Sequence, residues 1–204
     1  MEPSGIQGRR EDTNVFSASG GALSITSGRL SYTLGLVGPC YSIDTACASS
    51  LAALHLCVAA IRNDEECEHA VAIGTMVLSE ASNVATAIAG MTSSRGRCHT
   101  FDNRADGYCR GEGCSAFCLS HPLERANVLT VTVLGSAVQQ DGPSASLTAP
   151  NGSSQRRLID AVRRAVAIDG CSPPSLEAHG TGTALGDPIE VCFPTIYKPV
   201  TRII

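Results

Sequence analysis

SIDTACASSLAALHLCVAAIR, residues 42–62, is the most informative stretch of the chain. Its opening, YSID from Tyr41, predicts a short strand. From Cys47 to about Arg62 the run is apolar around nearly its whole circumference, the mark of a helix buried inside a domain rather than lying on it. A strand feeding a buried helix is the repeating unit of an α/β layer. Cys47 stands at the junction, behind an acid and a threonine. The unpaired N–H groups and the dipole of a helix start favour an anion there, and the thiolate is the form in which a cysteine attacks. A small buried hydrophobe is the other reading of a cysteine, and on these residues alone both stand.

The rest of the chain supports the α/β reading. Residues 20–38, punctuated by Gly and Ser around SITSGRLSYTLGL, predict a short helix and a turn ahead of the YSID strand. HAVAIGTMV (69–77) predicts a buried strand, CSAFCLS (114–120) another strand, and VLTVTVLGSAV (128–138) a second β-branched strand. SQRRLIDAVRRAVAI (154–168) predicts an amphipathic helix with its arginines on the wet side.

Composition excludes several classes of function. With 204 residues, a net charge of −4 and 43% hydrophobic residues, the chain falls in the soluble globular class with length for one domain. Fourteen of its 15 cations are Arg, scattered along the chain, so neither a nucleic-acid nor an anionic-membrane surface is expected. The polar start MEPSGIQGRREDTN has no apolar leader, and no apolar stretch reads as long enough to span a bilayer. A cytoplasmic chain is expected, with a plastid location left open.

The ten cysteines predict no disulfide framework in a chain of this kind. Cys98, His99, Cys109, Cys114, Cys118 and His121 invite a zinc reading, but Cys114 and Cys118 on one strand would stand roughly 13 Å apart. No metal and no directly bound cofactor are expected. GEGCSA from Gly111 precedes a strand, where a dinucleotide-binding fingerprint would open a helix.

Among the five histidines, His179 is singled out by EAHGTGTALGDPIE (177–190). Gly180 and Gly182 let a substrate or another backbone come close, and Thr181 and Thr183 offer hydroxyls. Asp187 reads as the N-cap of a following helix, with Pro188 at its first position and Glu190 completing a capping box. The other histidines, His55, His69, His99 and His121, read as ordinary helix, edge and turn residues.

DTACASS around Cys47, FDNRADGYCRGEGCSA (101–116), GSAVQQDGPSASLTAPNGSSQ (135–155) and EAHGTGTALGDPIE resemble four successive motifs of the β-ketoacyl synthases. The resemblance is to the ketosynthase domain of type I polyketide synthases and, as the alternative, of animal-type fatty acid synthases. It implies a thiolase-like fold, layered α/β/α/β/α, incomplete here at both ends. Residues 1–19 would be an unmatched polar lead, 20–122 part of the N-terminal half, 123–190 the start of the C-terminal half, and 191–204 a divergent tail. It further implies that Cys47 takes an acyl chain as a thioester from the phosphopantetheine arm of an acyl carrier protein. His179 would help decarboxylate a malonyl-type extender, in a loop with Thr181 and Thr183. An acyltransferase domain of the same synthase and a second copy of the full-length domain are the implied partners.

The departures from the family pattern are as specific as the match. A second histidine in a Lys-Ser-Asn-x-Gly-His stretch and a later Gly-rich loop are not in the sequence, and VCFPTIYKPVTRII follows Glu190 instead. Ala48 stands where a serine is usual, Gln139 where an asparagine is usual, and SPPSLEAH is a short approach to His179. A non-condensing partner of the chain-length-factor kind is opposed by Cys47. The isolated 204 residues are expected to be a fragment without condensing activity of their own.

Overall fold

The computed structural model describes residues 16–121, 131–146, 148–166 and 176–191. It divides into two compact units, Met1–Ser49 and Ser50–Ile204.

The first unit holds α1 (Ser17–Gly20) and α2 (Leu23–Leu34). The α2 helix ends where Gly35 takes a left-handed φ of 67° and returns its N–H to the Ser31 carbonyl, a conformation that costs glycine nothing. This is the helix and turn that residues 20–38 predict. Arg29 fastens α2 to α1 through the Ser19 carbonyl at 2.8 Å. The predicted YSID strand does not form among the described residues, because a strand exists only through a neighbour's backbone groups. Ser42 is tied to α2 instead: its hydroxyl accepts the Ser27 N–H at 3.1 Å and donates to the Ser27 hydroxyl at 3.0 Å.

The second unit is built around α3 (Ser49–Asn63) and an antiparallel pair, β1 (His69–Met76) with β2 (Gly113–Ser120), in register from His69 opposite Ser120 to Met76 opposite Gly113. Gly74 sets how closely α3 lies on β1, since a Cβ there would stand 2.4 Å from Ser50 Oγ. Next comes α4 (Glu80–Ile88), whose start is capped by Ser79 Oγ accepting the Ser82 N–H at 3.2 Å. Arg110 grips that helix through Ser82 Oγ at 2.7 Å and Asn83 Oδ1 at 2.8 Å.

Residues 134–136 run between α3 and α5 (Gly152–Val166). Arg62 donates to the Leu134 carbonyl and His55 Nδ1 meets Ser136 Oγ, both at 2.9 Å, while Gly135 turns toward Val166, which a Cβ would approach to 2.4 Å. Residues 134–136 thus link α3 to α5. Of the predicted strand 128–138, residues 128–130 lie outside the described residues, and 131–138 carry no ladder among them. The amphipathic helix forms as α5 with Arg156, Arg157, Arg163 and Arg164 on its exposed side; residues 167 and 168 of the expected span lie outside the described residues. Asn151 caps it, its Oδ1 accepting the Ser154 N–H at 3.2 Å, and Gln139 donates to the buried Ser154 hydroxyl at 2.7 Å. A last helix, α6 (Gly186–Val191), follows the glycine- and threonine-rich loop.

Burial is much lighter than the sequence predicts. On α3 only Val58 and Ile61 are buried and Leu51 is 70% exposed; on β1 only Ala72 is buried. The apolar circumference of α3 and the apolar run of β1 exceed what the other described elements cover. Ala46–Asn63 is helical over 18 residues with a mean hydropathy of 1.3, enough to cross a membrane by length and composition alone, but its contacts are those of a helix packed in protein. Ser50 against β1 and the bonds of His55 and Arg62 to residues 134–136 make it a helix of the protein layer.

Candidate active site

Cys47 sits in a single 3-10 turn, Ala46–Ala48, that leads into α3, so the α-helix begins at Ser49, two residues later than the sequence suggests. Its thiol is exposed. The residue before it, Ala46, has a φ of 52°, the left-handed region that side chains seldom adopt. Three hydrogen bonds made by side chains hold this turn. Asp44 Oδ1 accepts the Ala46 N–H at 3.0 Å, while Ser49 Oγ accepts the Thr45 N–H at 2.9 Å and donates to the Ala46 carbonyl at 2.7 Å. The acid and the threonine ahead of Cys47 therefore belong to a knot that turns the chain sharply and leaves the sulfur outward at a helix entrance. The part taken by Ser49 is not visible in local sequence rules.

In the second unit, His179 lies exposed on the loop that precedes α6. Both oxygens of Glu190 grip its backbone: Oε1 accepts the His179 N–H at 2.8 Å and Oε2 the Gly180 N–H at 2.7 Å. Asp187, 4% exposed, does the same further along, with Oδ1 on the Gly182 N–H at 3.0 Å and Oδ2 on the Phe101 N–H at 2.6 Å. Thr181 and Thr183 come together, their hydroxyls 3.0 Å apart. These contacts correct the capping assignment. Asp187 lies inside α6 and Glu190 reaches back past its start, and the capping oxygen is Thr183 Oγ1, which accepts the Gly186 N–H at 3.1 Å. A Cβ on Gly186 would meet that oxygen at 2.6 Å, so the cap requires glycine there.

The loop rests on the segment from Met91 to Cys109. Gly107 donates to the Gly182 carbonyl at 3.0 Å and Thr100 Oγ1 to the Gly180 carbonyl at 2.6 Å. Gly180 and Gly182, with φ of 54° and 72°, allow this approach: Cβ atoms there would stand 2.7 Å from Thr100 Cγ2 and 3.0 Å from the His99 nitrogen. The supporting segment is closed by its own charges. Ser93 and Ser94 donate to Asp106 at 2.7 and 3.2 Å, with Arg95 at 3.5 Å, and the Ser93 bond foremost lowers the Asp106 pKa. Arg104, hydrogen-bonded to Asp102 at 2.8 and 2.7 Å, holds that carboxyl well below the usual range.

Cys47 belongs to the first unit and His179, Thr181 and Thr183 to the second. An open depression lined by Pro143, Ser144, Asn151 and Pro188 contains neither a cysteine nor a histidine, so its lining offers no nucleophile and no imidazole.

The chain matches the β-ketoacyl synthase N-terminal domain over residues 4–125 and the β-ketoacyl synthase C-terminal domain over residues 130–193. It belongs to the β-ketoacyl synthase family. More narrowly, it is part of the ketosynthase domain of a type I polyketide synthase, with the thiolase-like fold of that family. It is 43% identical over 190 residues to erythronolide synthase EryA2 of Saccharopolyspora erythraea, covering 91% of this chain and 5% of that one. It is 44% identical over 192 residues to the pikromycin polyketide synthase component PikAII of Streptomyces venezuelae, covering 91% and 5%. Among solved structures, the ketosynthase from module 6 of the bacillaene synthase of Bacillus subtilis 168 aligns with a TM-score of 0.76 at 36% identity, over 88% of this chain and 33% of that one. The ketosynthase chain thus spans a small fraction of the curated relatives and about a third of the solved one.

Proposed function

We propose that the chain serves, as part of a ketosynthase domain, in the decarboxylative Claisen condensation of polyketide biosynthesis, an acyltransferase reaction. In this reading the Cys47 thiolate attacks an acyl thioester on the phosphopantetheine arm of an acyl carrier protein, forming the Cys47 thioester and releasing the arm's thiol. A malonyl-type extender then loses carbon dioxide, and its enolate carbon attacks the Cys47 thioester, expelling the thiolate and leaving a β-ketoacyl chain on the carrier. The His179 ring donates to the extender's thioester oxygen, where negative charge develops. Glu190 and Asp187 fix the backbone that carries the ring, and Thr181 and Thr183 line the loop that faces the arm.

The partners in this reading are the carrier protein, an acyltransferase domain of the same synthase and a second copy of the complete domain, in the cytoplasm and without nucleic acid or membrane. The observation that carries it is the exposed Cys47 thiol, held outward at the entrance to α3 behind a left-handed Ala46. Limited iodoacetamide labelling of the folded chain, mapped by mass spectrometry, tests it. Cys47 is expected to be alkylated ahead of the other cysteines, and labelling of several others with Cys47 spared would overturn the assignment.

A further inference from the structure

Cys98 and Cys109 take no part in the chemistry assigned to Cys47, yet the fold brings them into contact. The Cys109 N–H donates to Cys98 Sγ at 3.0 Å, across 11 positions of sequence. Both are exposed and free. Their meeting is built into the backbone. Thr92 and Tyr108 form a parallel bridge, with the Tyr108 N–H on the Met91 carbonyl at 3.1 Å and the Ser93 N–H on the Tyr108 carbonyl at 3.0 Å. Gly107, at a φ of 129°, lets the arms close, because a Cβ there would lie 2.6 Å from the Thr92 carbonyl carbon.

We propose that Cys98 and Cys109 form a reversible dithiol–disulfide site whose oxidant is a small hydrophilic peroxide. Cys98, whose sulfur receives the Cys109 N–H, attacks hydrogen peroxide as the thiolate; the O–O bond breaks, leaving a Cys98 sulfenic acid and, with one proton, water. Cys109 then attacks the sulfenic sulfur, its thiol proton leaves with the displaced hydroxide as a second water, and the S–S bond forms. Two thiols and one peroxide thus yield one disulfide and two waters, and a thiol reductant reverses the change. Partial desolvation and the neighbouring Cys98 sulfur raise the Cys109 pKa, in keeping with Cys109 as the resolving thiol.

The disulfide would join the two arms under the histidine loop. His99, next to Cys98, lies beneath Gly182, and Gly107, two residues before Cys109, bonds the Gly182 carbonyl. Oxidation therefore stiffens the seat of that loop.

Peroxide treatment of the chain, thiol blocking and tryptic digestion test the site, because cleavage after Arg97, Arg104 and Arg110 leaves Cys98 and Cys109 on separate peptides, 98–104 and 105–110. The linked pair is expected to exceed every other linked pair several-fold, to vanish with dithiothreitol, and to lose its lead in urea. Both cysteines remaining alkylatable, or linkage dominated by another pair such as Cys57 with Cys67, overturns the proposal. In Cys109→Ser, a dimedone adduct is expected on Cys98, and its absence overturns the order of attack. Amide exchange at Gly180 and Gly182 is expected to slow several-fold in the oxidised chain; unchanged exchange with the linkage formed overturns the effect on the loop.

Discussion

The Asp187 carboxylate bonds the N–H of Phe101, 86 residues away in sequence, at 2.6 Å, and its other oxygen takes the N–H of Gly182 at 3.0 Å. One buried side chain thus joins the histidine loop to the segment beneath it. Asp187→Ala leaves two N–H groups without acceptors and is expected to cost about 2 to 4 kcal/mol. Asp187→Asn keeps one acceptor but turns an amide NH2 toward the other donor, and should cost roughly half as much. Urea unfolding midpoints of the two variants check the order.

Glu190 acts closer to the chemistry, since it grips His179 and Gly180 by their N–H groups. Glu190→Gln is expected to speed amide exchange at both positions several-fold while leaving the Asp187 bonds in place. Exchange measured residue by residue shows whether the loop loosens only at its His179 end.

Such long-range bonds mark where the sequence stops being informative. The helices α2 and α5 and the strands β1 and β2 are legible because periodicity and β-branching act over a few residues. The Cys47 and His179 motifs are legible for the same reason, as short runs of fixed spacing. Asp187 and Glu190 read as caps because a local rule assigns a carboxylate to the nearest helix end, whereas their partners are set by the tertiary fold. The contact between Cys98 and Cys109 is invisible for that reason too, as it depends on the bridge between Thr92 and Tyr108. Residues 41–44 and 131–138 have the composition of strands, but a ladder needs a neighbour that their own sequence does not name.

The close approach at Gly107 gives a third expectation. A Cβ there would meet the Thr92 carbonyl carbon, the Met91 oxygen and the Ser93 nitrogen at 2.6 to 2.7 Å, all backbone, at a φ of 129°. Backbone atoms cannot swing aside as a side chain can, so Gly107→Ala adds overlap to a conformational cost of about 1 to 3 kcal/mol. The expected result is opening of the bridge between Thr92 and Tyr108 and loss of soluble folded protein. Yield and thermal unfolding check it against Gly111→Ala, where nothing lies within 4 Å.

Acid should open the same segment. Asp106 is held below the ordinary carboxylate range, first by the Ser93 hydroxyl and then by Ser94 and Arg95. A carboxyl with a lowered folded pKa contributes stability that is fully present above its unfolded value and is lost as pH falls through the folded one. Protection of the Ser93 and Arg95 amides is therefore expected to hold at neutral pH and to fall away below about pH 4. In Asp106→Asn that acid step is expected to disappear. Hydrogen exchange across pH, corrected for intrinsic rates, gives the comparison.

Cys47 and His179 are assigned to different steps, and single variants in the complete synthase polypeptide should separate them. Acyl loading needs a nucleophilic sulfur, so Cys47→Ala is expected to abolish the acyl adduct seen by intact-peptide mass spectrometry, and condensation with it. His179 is assigned to the charge that develops on the extender's thioester oxygen, after the acyl group has been loaded. His179→Ala should therefore still carry acyl on Cys47 while the β-ketoacyl product forms at least about 10²- to 10³-fold more slowly, the scale set by loss of one donor to a developing oxyanion. Loss of loading in His179→Ala, with the protein folded, would instead make the histidine the base that activates Cys47 and would assign both residues to the first step.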